Sequence, residues 1–145
     1  MRLSSRNCFT TSTASSTSRR LRSPSSPSVA ELIAGGDTTV LLIGETADGL
    51  AVLRFRPAIW SGGLECYLAE LYVRPPKRGR GLGRALMEAA LREARDRGAD
   101  TMEIGVDETD LVARRLYESL GFRNRSGGSA GPLMYVYELD LRATP

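Results

Sequence analysis

The chain has 145 residues, of which 41% are hydrophobic and 26% charged, proportions typical of one soluble globular domain. No apolar stretch approaches the ~20 residues that span a bilayer, and the absence of histidine excludes Ser-His-Asp and Cys-His nucleophilic catalysis. Residues 1–30 contain five arginines and no acid, so residues 31–145 have 15 basic and 17 acidic side chains, which argues against a nucleic-acid-binding domain.

The first segment, residues 1–27, is rich in serine, threonine and arginine and shows no apolar period. Because it cannot bury enough surface to offset the entropy of ordering, we expect a disordered leader and a folded domain at residues 28–145. An organellar transit peptide has the same composition, rich in arginine and serine and without acidic residues. A flexible tail or a misplaced start codon are the alternative explanations of this segment. Cys8 and Cys66 are too few for a disulfide framework or a zinc site, which favours a reducing, cytoplasmic setting and no bound metal.

Residues 28–73 have the patterns of a short helix, a hairpin and a third strand. Ser28 is suited to a helix N-cap and Gly35-Gly36 to a helix stop. Asp48-Gly49 is a dipeptide favoured in tight hairpin turns. The predicted elements are, in order, a helix to Ala34, strands at 39–44 and 50–55, a loop at 57–63 that holds Trp60, and a strand at 64–73.

The rest of the chain predicts helix, strand, helix and strand. The first of these helices is followed by Gly98, where a left-handed residue is favoured. The second begins at Asp110 and is followed by Gly121. In order, we expect a helix at 83–97, a strand at 101–106, a helix at 110–120 and a half-buried strand at 133–141. The apolar face of the first helix is formed by Leu82, Leu86, Ala89, Ala90 and Ala94. In the second helix, Val112, Leu116 and Leu120 are spaced four residues apart. The strands at 64–73 and 101–106 form a crossover unit of an α/β domain.

A glycine- and arginine-rich loop lies between the third strand and the long helix, at residues 75–84. The first N–H groups of a helix have no internal acceptors and lie at the positive end of its dipole, so anions bind there. Glycines let a phosphate approach the backbone, and basic side chains add positive charge. The candidate phosphate-binding residues are Arg78, Gly79, Arg80, Gly81, Leu82, Gly83 and Arg84, helped by Lys77.

The spacing in two segments indicates which phosphate ligand is bound. A P-loop requires Gly-Lys-Ser/Thr, which is absent, and a dinucleotide-binding turn requires glycine at position 84, which is arginine. The loop fits Arg/Gln-x-x-Gly-x-Gly, filled by Arg78, Gly81 and Gly83. Downstream, the pattern Asn-x-x-Ala-x-x-x-Tyr-x-x-x-Gly-Phe is matched, with Asp for Asn, by Asp110, Ala113, Tyr117, Gly121 and Phe122. In both segments the chain resembles the GNAT superfamily of acetyltransferases.

The resemblance covers residues 37–141 and implies a mixed, mostly antiparallel sheet flanked by helices. It implies an acetyl-CoA-dependent N-acetyltransferase whose loop binds the pyrophosphate of acetyl-CoA. The backbone of Leu71, Tyr72 and Val73 would pair with the pantetheine arm, and Asp110 and Ala113 would lie beside the cofactor. Asp110 also has an interpretation as the N-cap of its helix.

The third strand is most similar to the small-amine branch, which includes the polyamine acetyltransferases. That branch usually has a glutamate at the position of Ala69, where it helps to deprotonate the amine. Glu70 is adjacent but faces the other side of a regular strand; a β-bulge would re-aim it, and Glu65 is another candidate. The family usually begins with a further strand and helix pair, for which residues 1–36 have little room, so a shortened N-terminal part is expected.

Acetyl transfer requires a deprotonated amine, a polarised thioester and a proton for the leaving thiolate. The resemblance implies direct attack by a primary amine in a ternary complex, with Glu70 as candidate base. Tyr117 is the candidate acid, because a tyrosine with an ordinary pKa of ~10 is protonated at neutral pH. The alternatives are a non-catalytic acyl-CoA-binding module and, for Tyr117, an ordinary role in the core. Trp60 and Tyr67 are candidates to line an acceptor pocket, with a core role as their alternative. We expect a small-molecule amine acceptor, no nucleic-acid or membrane partner, and allow for a homodimer.

Overall fold

The computed structural model describes residues 28–139, in two compact units that divide after Met102. The predicted leader, residues 1–27, lies outside the described residues. The elements are α1 (Val29–Ala34), β1 (Thr38–Ile43), β2 (Gly49–Pro57), β3 (Leu64–Val73), a 3-10 turn (Pro75–Lys77), α2 (Leu82–Asp96), β4 (Ala99–Ile104) and α3 (Leu111–Ser119). The strands form one sheet in the order β1-β2-β3-β4, with β1, β2 and β3 antiparallel. The predicted fold class, a mostly antiparallel sheet flanked by helices, is confirmed.

The short helix α1 begins and ends as predicted. The Ser28 hydroxyl accepts a hydrogen bond from Glu31 N and the Glu31 carboxylate accepts one from Ser28 N, which is a capping box. After the helix, Gly36 has a left-handed φ of 83°. Within residues 28–139, α1 is the one helix before β1.

The hairpin of β1 and β2 is paired from Thr38↔Arg54 to Ile43↔Gly49. Its turn lies at residues 44–47, so the prediction of a turn through Asp48-Gly49 is wrong. The positive φ values belong to Gly44 and Ala47, whereas Gly49 already begins β2. Gly49 serves close packing instead, since a Cβ there would lie 2.9 Å from the carbonyl oxygen of Tyr72.

The core of the first unit lies between one face of the sheet and α2, which contacts β1, β2 and β3. The prediction for the apolar face of α2 holds for Leu86, Ala90 and Ala94, but it omitted Met87, which is fully buried. Because α2 lies across three strands, its buried stripe is wide. The buried core residues are Ala51, Leu53, Phe55, Cys66, Leu68, Leu86, Met87, Ala90 and Ala94.

The second unit contains α3, with the predicted boundaries. Its N-cap is Asp110, and Gly121 ends it with a φ of 95°. Val112 is 81% exposed, so the predicted alignment of Val112 with Leu116 and Leu120, both half-buried, is wrong. Val112 is the second residue of α3, in its first turn, and the apolar face does not extend to it. No helix in residues 28–139 has the length and apolar character needed to cross a bilayer.

The final strand predicted at residues 133–141 is wrong within the described residues. Leu133 forms a single antiparallel bridge with Arg125, and residues 134–139 have no regular secondary structure. The side chains expected to be half-buried are exposed, Tyr137 by 90%. Alternation alone does not form a strand, because each strand needs a neighbour to complete its backbone hydrogen bonds. Positions 140 and 141 lie outside the described residues, and the strand predicted at 101–106 lies at Ala99–Ile104.

Candidate active site

The loop between β3 and α2 is formed by a sharp change of backbone direction. Pro75 begins a 3-10 turn closed by a hydrogen bond of 3.2 Å from Arg78 N to the Pro75 carbonyl oxygen. Gly79 and Gly81 then have left-handed φ values of 73° and 79°, which residues with a Cβ adopt at a cost. Gly81 is the N-cap of α2 and accepts its first helical hydrogen bond, from Ala85 N at 3.0 Å.

The backbone at the start of α2 is open to an approaching anion. A Cβ added to Gly79 or Gly81 would meet no atom within 4 Å, so the volume beside this backbone is open. The first turn of α2 contains no acidic residue, and among the described residues no side chain caps it. The partial positive charge of the helix N-terminus is therefore available to an anion. These features match what the phosphate groups of a CoA ligand require.

Arginine side chains surround this helix N-terminus. Arg78, Arg80 and Arg84 are all exposed. The Nε of Arg78 donates to the Val73 carbonyl oxygen at 2.9 Å, and the guanidinium carbon lies 5.9 Å from the centroid of the Tyr72 ring. One donor of Arg78 thus holds the turn after β3, while a guanidinium has further N–H groups for a ligand.

A β-bulge interrupts β3 at Ala69. Val52 pairs with Glu70 while the next residue, Leu53, pairs with Leu68, so Ala69 is the extra residue. In a regular strand Leu68 and Glu70 would share a face, but here Leu68 is buried against α2 and Glu70 is exposed. The bulge therefore turns Glu70 to the face that Ala69 would occupy in a regular strand, which is the orientation the base hypothesis requires.

The other predicted residues of β3 lie on either side of the bulge. Glu65, the alternative base, accepts a hydrogen bond from Arg56 Nε at 2.6 Å across the β2–β3 ladder. Its carboxylate is thereby held by a cation. Leu71, Tyr72 and Val73 are half-buried at the end of β3 that leads into the loop. The two proposed cofactor-binding segments of the first unit, residues 71–73 and 78–84, are therefore separated by only the short turn at residues 74–77.

In the second unit, α3 brings Asp110, Ala113 and Tyr117 onto one stripe of the helix surface, at positions i, i+3 and i+7. The Asp110 carboxylate accepts a hydrogen bond from Ala113 N at 3.0 Å, which confirms the N-cap interpretation. Tyr117 is half-buried, and its ring centroid lies 6.0 Å from that of Phe122. Phe122 N donates to the Tyr117 carbonyl oxygen at 3.1 Å, so the Gly-Phe pair folds back onto the helix end.

The exposure of Trp60, Tyr67 and Cys66 limits the roles that these side chains can have. Trp60 is 92% exposed, which makes a core role wrong, and Tyr67 is 44% exposed. Cys66 is fully buried, and that burial raises the pKa of its thiol to about 11, against the opposing charge of Arg97. A neutral thiol is a poor nucleophile and metal ligand. No cluster of three acidic or cysteine side chains that could hold a metal ion occurs between residues 28 and 139.

Asp48, predicted from the sequence only as part of the hairpin turn, lies beside the loop. This residue is 8% exposed, its Oδ2 lies 3.5 Å from Lys77 Nζ, and its carbonyl oxygen accepts a hydrogen bond from Arg74 N at 2.8 Å. The charge of Lys77, expected to assist phosphate binding, is thus paired within the protein. Contacts between residues so far apart in sequence leave no local pattern.

Two curated relatives are similar to parts of this chain. A mycothiol acetyltransferase of Thermobispora bispora is 49% identical over 63 residues, 41% of this chain and 21% of the relative. The L-amino acid N-acyltransferase MnaT of Escherichia coli is 40% identical over 52 residues, 36% of this chain and 30% of the relative. This chain therefore matches less than a third of the length of either curated relative.

About three quarters of the chain has a counterpart among solved structures. A presumed acetyltransferase from Arthrobacter sp. FB24 superposes with a TM-score of 0.69 at 47% identity, over 77% of this chain and 71% of that one. The acetyltransferase (GNAT) family model matches residues 16–122, which include the loop, α2 and α3 and begin inside the predicted leader. By this match and the shared fold, the chain belongs to the acetyltransferase (GNAT) family.

Proposed function

We propose that this protein is an acetyl-CoA-dependent N-acetyltransferase that moves an acetyl group to a primary amine by direct attack in a ternary complex. The observation that carries the proposal is the open, uncapped N-terminus of α2 with its left-handed glycines 79 and 81. The family uses acetyl-CoA as acetyl donor. The named relatives transfer acyl groups, which supports the same reaction class here.

The proposed cofactor site has two parts in the first unit. The loop of residues 78–84 would bind the pyrophosphate through backbone N–H groups at the helix start and through its arginines. The backbone of residues 71–73 would hydrogen-bond the pantetheine arm as an added strand does. The Val73 carbonyl already accepts from Arg78, and a carbonyl oxygen has two lone pairs, so this bond does not exclude a second donor.

The chemistry is assigned to β3 and α3. Acetyl-CoA supplies an acyl group activated as a thioester. Glu70, exposed beside the bulge, would accept the proton of the acceptor ammonium, and a backbone N–H freed by the bulge would polarise the acyl carbonyl. Tyr117 would donate its phenolic proton to the departing thiolate sulfur, with Asp110 and Ala113 beside the cofactor. No step needs a covalent acyl-enzyme, and the neutral Cys66 thiol is unsuited to form one.

The acceptor is proposed to be a small molecule with a primary amine, as in the small-amine branch that β3 resembles. The relatives are named for mycothiol and for L-amino acids, so a screen should include polyamines, amino sugars, amino acids and aminoglycosides. Release of free thiol from acetyl-CoA would identify the acceptor. We further propose a reducing, cytoplasmic setting, with which the free Cys66 thiol agrees, and allow for a homodimer.

A second candidate is a non-catalytic acyl-CoA-binding module. It is favoured by Ala69, which puts a methyl group at the bulge where the small-amine branch usually has a carboxylate. Both candidates predict CoA binding, and only the enzyme predicts thiol release in the presence of an amine. Binding without release by any amine class would select the module.

The binding site itself is tested by a pair of matched glycine substitutions. Gly81 and Gly98 have nearly the same φ, 79° and 80°, and open space around a Cβ; they flank the two ends of α2. Gly81→Glu and Gly98→Glu therefore impose similar backbone strain and the same charge change. Calorimetry should show acetyl-CoA binding by the unaltered protein and the Gly98→Glu variant, with a loss of at least ten-fold in Gly81→Glu. Equal affinity of the two variants would place the phosphate elsewhere.

A further inference from the structure

Asp48 lies where the β1–β2 hairpin contacts the loop before α2. Its side chain is 12% exposed. One carboxylate oxygen accepts a hydrogen bond from the Thr46 hydroxyl at 2.9 Å, and the other lies 3.5 Å from Lys77 Nζ. The carboxylate is therefore oriented from its own turn and directed at the residue that precedes the phosphate-binding segment.

The backbone of Asp48 also holds this loop. Its carbonyl oxygen accepts a hydrogen bond from Arg74 N at 2.8 Å, and the Arg74 carbonyl in turn accepts from Lys77 N at 2.8 Å. Residues 74–77 are thus fixed at both ends, at Arg74 through the main chain of Asp48 and at Lys77 through its side chain. The left-handed Gly79 and Gly81 follow directly.

The next residue, Gly49, brings the hairpin close to β3 and α2 at once. A Cβ on Gly49 would lie 2.9 Å from the Tyr72 carbonyl oxygen and 3.0 Å from Leu86 Cδ1. Glycine at this position therefore permits a contact that any larger residue would push apart. The dipeptide Asp48-Gly49 joins the hairpin to the end of β3, the loop and the first turns of α2.

We propose that Asp48 is a positioning residue for the phosphate-binding loop, acting through Arg74 and Lys77, and that Lys77 serves as its partner and not as a phosphate ligand. The inference rests on the proposed acetyl-CoA binding by residues 78–84. With residues 74–77 fixed, the two glycines and the start of α2 hold their arrangement before the ligand arrives, which lowers the entropic cost of binding.

A double-mutant cycle separates this role from direct binding. If Lys77 contacted phosphate, Lys77→Gln would weaken binding and Asp48→Asn would strengthen it by releasing the lysine, so the two single variants would differ in sign, and the gain from Asp48→Asn would vanish in the double variant. Under the proposal, each single variant weakens CoA binding by about two- to five-fold, the range of a partly exposed ion pair, and the double variant is no weaker than either. Asn retains the acceptor for Thr46, so the turn keeps its internal hydrogen bond.

The experiment is calorimetry with CoA on the full chain and the variants Asp48→Asn, Lys77→Gln and the double substitution. Glu45→Gln is the control, because Glu45 is an exposed acid of the same turn and its loss reports the general effect of removing negative charge. Binding at several salt concentrations adds a second readout: Lys77→Gln should leave the salt dependence of the Kd unchanged, whereas loss of a phosphate contact would reduce it.

Amide hydrogen exchange of the ligand-free protein gives a readout that does not depend on CoA. Exchange at Arg74 and Lys77 should be about two- to five-fold faster in Asp48→Asn and in Lys77→Gln, and unchanged in Glu45→Gln. Failure of the unaltered protein to bind CoA would overturn the proposed function, and exchange would then decide whether Asp48 holds the loop. Tighter or equal CoA binding by Asp48→Asn, or unchanged exchange at Arg74, would overturn the inference itself.

Discussion

Tyr117 and Cys66 each carry a weakly acidic proton, and the two protons are expected to behave differently. Tyr117 is half-buried on α3, with its ring against Phe122, so its phenol is held by packing at the ring. Cys66 is fully buried on β3. The first is proposed to give up a proton during the reaction, and the second keeps its proton throughout the physiological pH range.

Replacing Tyr117 with Phe removes the phenolic proton and retains the ring that contacts Phe122. We expect turnover to fall by about 10²–10³-fold, the usual worth of one positioned proton donor, with little change in melting temperature or CoA affinity. The alkaline limb of the pH–rate profile should also disappear. Near-normal turnover would assign the proton to water, and an equally large loss of CoA affinity would make Tyr117 a binding residue.

The raised pKa of Cys66 makes stability depend on alkaline pH. Between the ordinary thiol pKa of 9.0 and the folded value of about 11, the unfolded chain releases this proton and the folded chain retains it. Unfolding is therefore favoured as pH rises, by about 1.4 kcal/mol per pH unit in that interval. Urea unfolding at pH 8 and pH 10.5 should show a larger loss for the unaltered protein than for Cys66→Ala. Equal losses would show that Cys66 does not titrate differently on folding.

Among the elements, β3 has the most direct consequence for the proposed catalysis. Its bulge at Ala69 changes the face on which every later residue of the strand lies. Glu70 consequently shares a face with Tyr67 and Tyr72, and Leu71 shares one with Leu68. Without the bulge, Glu70 would point toward α2 and could not reach an acceptor.

Glu70→Gln and Glu65→Gln test this assignment as a matched pair on one strand. The first should lower turnover by about 10²-fold or more, because the amine loses its proton acceptor. The second breaks the Arg56 ion pair and should change turnover only a few-fold, with a small effect on stability. A larger loss in Glu65→Gln would exchange the two roles.

At the scale of the whole chain, the excess of basic over acidic residues lies near the start of the sequence. Five arginines occur in residues 1–30, and the described structure begins at residue 28. The family match begins earlier, at residue 16. Deletions that end on either side of residue 16 therefore test where the folded domain begins.

Removing residues 1–15 and removing residues 1–27 should both leave a chain that melts within about 5 °C of the full one, because these residues lack a pattern that could pack. CoA affinity should also be retained. The two deletions differ only in residues 16–27, so a lower melting temperature in the longer deletion alone would assign a structural role to that segment. A loss in both would contradict the leader prediction altogether.

The sequence by itself determined the features that depend on neighbouring residues. The N-caps at Ser28 and Asp110, the left-handed helix stop at Gly98 and the Gly-x-Gly entry to α2 all occur as predicted. Each involves a side chain or backbone conformation within about four residues of its partner, so the local pattern states the geometry. The family resemblance rests on two such local segments.

The tertiary structure alone decided the features that depend on distant partners. The bulge at Ala69 exists only in register against β2, and the contact of Asp48 with Lys77 joins residues 29 positions apart. The alternating residues 134–139 predicted a strand, but alternation does not supply the neighbour that a strand needs. The periodicity of one segment indicates which of its side chains lie on the same face. The free energy of strand pairing and of packing depends on two elements that contact each other, so it cannot be read from one segment alone.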